Sequence, residues 1–102
     1  MKIIEWLSDK IADEISDAEC YAKIALMLKV DYPRLADVLE RISEEEMNHM
    51  ALLHTETVDI IEAYRKEKGE PPEPMMAVYE YLHKKQIDRS AEVKAMHTMY
   101  KT

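Results

Sequence analysis

Apolar residues recur along this chain at intervals of three and four, the period of an α-helix, and only two short stretches break the pattern. The first is Asp31-Tyr32-Pro33, where Pro33 cannot continue a helix but suits a first turn, and Asp31 is placed to act as an N-cap. The second is Gly69-Glu70-Pro71-Pro72-Glu73-Pro74. Gly69 follows Arg65, Lys66 and Lys68, cations suited to the negative end of a helix, and Pro74 suits the first turn of the next one. The spacing predicts helices over about residues 3–30, 34–68 and 75–101. The first connection is short, so helices one and two are expected to form an antiparallel hairpin.

On the first helix Ile3, Leu7, Ile11, Ala18, Tyr21, Ala25 and Leu28 share one stripe. Glu14 lies near its middle, while Glu5, Asp13 and Glu19 fall off it. On the second, Leu35, Val38, Leu39, Ile42, Leu52, Leu53, Ile60 and Tyr64 form the stripe. Glu46, His49 and Glu56 interrupt it, Glu45 sits at its edge and Glu44 points outward. An antiparallel hairpin turning at about residue 31 or 32 sets position 14 opposite roughly position 48 or 49. Glu14 is thereby expected to face the i, i+3 pair Glu46 and His49.

Carboxylates in an apolar stripe need a reason. Unpaired and dry, each would cost several kcal/mol, and together they would repel one another. The inward cations are few, with Lys10 and Arg41 near the stripe edges. A divalent metal would neutralise several carboxylates at once. Imidazole and carboxylate donors suit iron, manganese or zinc, and the lack of paired thiolates argues against a structural cysteine–zinc site. A Glu-x-x-His pair alone is common on helices by chance; the combination with Glu14 is what sharpens the reading.

Composition narrows the picture further. At 102 residues, the chain is read as a single domain, 1–102, small enough that association would help to cover its long apolar faces. With 47% hydrophobic and 34% charged residues it reads as globular, and a single Gly and no Phe favour a few long helices. The net charge of −7 disfavours nucleic acid and anionic lipid as partners. Cys20 is the only cysteine, so a free, buried thiol in a reducing compartment is expected. No apolar run approaches membrane-spanning length, and Met1-Lys2-Ile3-Ile4-Glu5-Trp6 lacks a signal-peptide core. A cytoplasmic location is therefore expected.

Glu14-Ile-Ser-Asp-Ala-Glu-Cys-Tyr21, followed by Glu46-Met47-Asn48-His49, resembles the ferritin-like di-iron carboxylate superfamily. There, one helix carries a Glu with an aromatic residue seven positions on, and the next carries Glu-x-x-His about thirty residues downstream. The resemblance spans about residues 3–65 and implies Glu14 and His49 as terminal metal ligands, Glu46 as a bridging ligand and Tyr21 as an aromatic near the metals. Full-size members hold two such hairpins, whereas this chain has one. It is therefore more similar to the half-size type, including encapsulated ferritins, which complete the site across a subunit interface. No cargo tag is evident after Tyr100, and no rubredoxin-type cysteine module is present.

The resemblance implies an all-α fold, a long hairpin plus a third helix, with a four-helix core completed by homodimerisation or higher assembly. It also implies two iron ions shared across the dimer, with manganese or zinc as alternatives, and a ferroxidase-type activity using oxygen or peroxide. The alternatives are a metal-free helical interaction module and a metal-binding assembly without redox turnover. On the third helix the stripe is Met75, Val78, Tyr79, Leu82, Val93, Met96 and Tyr100. Its Glu80 and His83 repeat the Glu-x-x-His spacing, but Glu80 lies far from the stripe and His83 at its margin, so an outer-face position is expected. His97 reads as a packing residue, and the eight methionines as flexible core filler.

Overall fold

The computed structural model describes every residue from Met1 to Thr102. The chain is all-helical: α1 spans Lys2–Leu28, α2 Pro33–Lys68 and α3 Glu73–Lys101. Pro33 and Pro74 both lie in first turns, as their lack of an N–H allows. The expected Asp31 cap is replaced by Tyr32, whose carbonyl accepts the Ala36 N–H at 2.9 Å with no side-chain cap. α2 stops at Gly69, which adopts φ 86° and donates its N–H to the Arg65 carbonyl at 3.0 Å. That left-handed conformation is one that a residue with Cβ rarely adopts.

α1 and α2 pack antiparallel, and α3 lies mainly along α1, touching α2 little. The polar ties fix its direction. Gln86 Nε2 donates to the Ser8 carbonyl at 3.1 Å, and Lys29 Nζ donates to the Tyr100 carbonyl near the far end. α3 therefore runs parallel to α1, giving an up-down-up rod of 55 × 20 × 18 Å. Ile11, Ile15, Ala18, Met47 and Val93 form the central core, and Ala25, Ala36 and Tyr100 a second cluster towards the α1–α2 turn. Alanines at these contacts let the helix axes approach closely.

The buried faces differ from the expected stripes. α1 buries Ile4, Leu7, Ile11, Ile15, Ala18, Ala22 and Ala25, a line rotated away from Ile3 and Tyr21 because two helices rather than one pack against it. α2 buries the mixed line Ala36, Glu40, Ser43, Met47, Thr57 and Ile61. Its apolar stripe is turned outward: Leu35 and Val38 are each 47% exposed and Leu52 is 67% exposed. α3 buries Gln86, Ser90, Val93 and Tyr100, leaving Val78 outside. Cys20, expected inside, is exposed, because it falls off the buried line that runs through Ala18 and Ala22. No helix is long and apolar enough to cross a membrane.

Candidate metal centre

Glu14 on α1 and Glu46 and His49 on α2 come together, with one potential ligand atom from each within 4.8 Å of the others. Two facts of local structure produce this. The i, i+3 spacing puts Glu46 and His49 on one side of α2, and the antiparallel register brings Glu14 opposite them. His49 Nδ1 lies 3.4 Å from Glu14 Oε2 and 3.9 Å from Glu46 Oε2. One ring nitrogen thus faces both carboxylates. When it carries a proton it can donate to Glu14; when it does not, it offers a lone pair on the same side.

The cluster does not sit in the core of the chain, where the apolar stripes are expected to place Glu14, Glu46 and His49. Glu14 and Glu46 are half-buried and the His49 side chain is 55% exposed. The reason is the outward turn of the α2 stripe, which carries its polar members with it. Glu14, sharing a hydrogen bond with Glu46 and followed by burial, pushes the Glu46 carboxyl up to about 7. Two carboxylates this close disfavour ionisation of both, a repulsion that a bound cation would relieve.

The other candidate residues are scattered. Tyr21 is half-buried on α1, about two turns beyond Glu14 and outside the cluster. Glu45 and Glu56 are exposed and join no cluster, and Glu80 is exposed on α3. His83 turns towards α2, where its ring stacks on His54 with centroids 4.6 Å apart, and Tyr79 stacks on its other neighbouring position at 5.8 Å. Burial, with the neighbouring His54 second, holds His83 below the usual imidazole range.

The sequence pattern misses a second group. Glu40, Glu44 and His97 also bring potential ligand atoms within 4.8 Å of one another. Glu44 is half-buried rather than outward-facing, and Lys101 Nζ pairs with it at 2.8 Å. His97 is polar-bonded rather than simply packed, with Nε2 at 2.7 Å from Ser43 Oγ. The available signal was the series Ala36, Glu40, Ser43, Met47, whose small residues at intervals of three and four mark a face of close helix approach. A hydrophobicity stripe passes over it because two of its four members are polar.

No protein-family model, curated protein or solved structure matches the chain, so the reading of these groups rests on their chemistry and geometry.

Proposed function

We propose that two copies of this chain join through the outward faces of α1 and α2 to form a ferritin-like four-helix core that binds a pair of iron ions and oxidises Fe(II). The observation that carries the reading is the meeting of Glu14, Glu46 and His49 on two helices that also expose large apolar side chains. Ile3 and Trp6 on α1 and Leu35, Val38 and Leu52 on α2 are all exposed on the single chain. Exposed apolar side chains of this size on both helices are suited to a matching copy, with Glu45 and Glu56 as exposed charges on α2.

The donor set fits the metal. Two carboxylates and an imidazole suit iron, with manganese and zinc as competitors, and Cys20 lies outside the cluster. One chain supplies two Glu and one His, about half of what a carboxylate-bridged pair requires, and a two-fold copy supplies the other half. When bound, iron supplies one-electron redox chemistry towards oxygen or peroxide. The residues of the chain do the rest. Glu14 and Glu46 would offset the charge of the ions, and His49 would contribute a ring-nitrogen donor. The apolar flanks exclude water once the copies meet, which strengthens each of these interactions.

Iron analysis of protein purified without added metal, followed by Fe(II) oxidation assays, tests the reading. The expected result is near-stoichiometric iron and oxidation faster than in buffer, with Glu14→Ala losing the acceleration. Iron bound without acceleration would leave a metal-binding assembly with no turnover. No metal after reconstitution would leave a metal-free helical interaction module, in which His49 Nδ1 contacts Glu14 at 3.4 Å and Glu46 at 3.9 Å.

A further inference from the structure

The group formed by Glu40, Glu44 and His97 lies on a different side of α2 from the Glu14 cluster, where α2 meets the last turns of α3. Glu40 is its unusual member. It is only 5% exposed, and both of its carboxylate oxygens are buried without a hydrogen-bond donor. A buried carboxylate with neither oxygen satisfied is costly, and evolution rarely leaves one without a counter-charge. The nearest cation, Lys101, is already paired with Glu44 and keeps most of its side chain in solvent. An oxygen of Glu40 nevertheless lies within 4.8 Å of ligand atoms on both Glu44 and His97.

A hydrogen-bond relay sets the histidine. Ser43 Oγ donates its single proton to the Ala18 carbonyl at 2.6 Å. Its contact with His97 Nε2 at 2.7 Å must therefore be one in which the ring N–H donates to the hydroxyl. Burial holds the His97 pKa below the usual imidazole range, and the neutral ring with its proton on Nε2 keeps its lone pair on Nδ1. Metal-ligating histidines are held in the same way, one nitrogen committed to a backbone-anchored acceptor and the other free. The buried backbone of α1 thus orients a side chain of α3 through a serine of α2.

We propose that Glu40, Glu44 and His97 form a second cation site, taking one divalent first-row transition-metal ion per chain. Two carboxylates and one neutral imidazole are a donor set for zinc, manganese or ferrous iron rather than for calcium or magnesium, which prefer oxygen donors throughout. The ion supplies the positive charge that the Glu40 oxygens lack. It also ties the end of α3 to α2, two helices that otherwise touch little. Binding competes with Lys101 for Glu44, so Lys101 acts as a weak built-in occupant of the empty site.

The test separates this site from the Glu14 cluster. A Glu46→Ala, His49→Ala double variant removes the first cluster, and Co(II) serves as the probe because its visible absorbance reports nitrogen and oxygen ligation. The expected result is one Co(II) per chain in this background. Adding Glu40→Gln or His97→Ala should abolish the signal, while circular dichroism shows the helices intact. Adding Lys101→Met instead should tighten binding by about fivefold, the scale of a surface ion pair. Absence of Co(II) binding in the double variant, or binding unchanged by Glu40→Gln, would overturn the proposal and leave Glu40 as an acid that shares a proton with Glu44. Loss of the first cluster has no bearing on this outcome, so the two sites stand or fall separately.

Discussion

Glu46 and Glu40 sit less than two turns apart on one helix, and both carboxyls are pushed up to about 7, yet for different reasons. Glu46 is raised first by the hydrogen bond it shares with Glu14 and only then by burial. Glu40 is raised first by burial, with Glu44 adding to it. The first belongs to a cluster at an open apolar face; the second to one enclosed between helices. The same residue types therefore answer to different perturbations. A variant that removes Glu14 should take away the larger cause of the Glu46 shift, whereas one that removes Glu44 should take away only the smaller cause of the Glu40 shift. The proposed dimer would close the open cluster, whereas the residues of the closed one all come from a single chain.

The largest expected effect breaks the comparison on the open side. Glu46→Ala or His49→Ala should abolish binding of the metal pair, whereas Glu80→Ala should leave it intact because Glu80 is exposed on α3 and joins no cluster. Anaerobic calorimetric titration with Fe(II) reads this directly, and equal loss in the Glu80 variant would mean that α3 contributes ligands. Next in size is the apolar face itself. Leu52→Glu places a charge where the single chain has solvent but a dimer has an interface, so association should weaken by about a hundredfold, the scale of an unpaired interfacial charge. Unchanged association would place the interface elsewhere.

On the closed side the effects are smaller and depend on pH. The folded-state value of Glu40 is above its ordinary 4.5, so the folded apo-protein holds more protons than the unfolded chain between about 4.5 and 7. Stability from this group is then fully present below 4.5 and is lost as the pH rises through about 7. Glu40→Gln should remove that loss, raising apo-protein stability at pH 8 by on the order of 1–2 kcal/mol after allowance for solvent screening, with little gain at pH 4. Urea unfolding at the two pH values measures it; equal gains at both would assign the effect to packing instead of charge. Smallest is Ser43→Ala, which removes the hydroxyl between the Ala18 carbonyl and His97. It should cost about 1 kcal/mol in urea unfolding and free His97 to change tautomer in its ring-nitrogen NMR shifts.

Much of this architecture was legible in the sequence because the punctuation was strong. Pro33, Gly69 and Pro74 place three helix boundaries through backbone chemistry that tertiary packing does not override. The meeting of Glu14 with Glu46 and His49 was legible too, since an antiparallel hairpin has one short turn from which to count. Which face turns inward was not. A stripe analysis assigns the most apolar line to the core, but α2 turns Ala36, Ser43 and Thr57 inward and leaves Leu35, Val38 and Leu52 outside. Small residues win close helix contacts even when larger apolar ones are available, and a stripe can equally be reserved for another chain. Glu40 was hidden for the same reason, and His97 because its hydrogen-bond partner Ser43 lies 54 residues away in sequence.

The account turns on whether the outward stripe of α2 is an interface that metal completes. Sedimentation velocity at low protein concentration, run with Fe(II) under anaerobic conditions and again with chelator, measures this most directly. Because a metal shared between copies binds the dimer and not the separated chain, the expected result is a dimer with Fe(II) that shifts towards monomer on chelation. A chain that stays monomeric while still binding two irons would contradict the shared site and place a complete pair of metals within one chain.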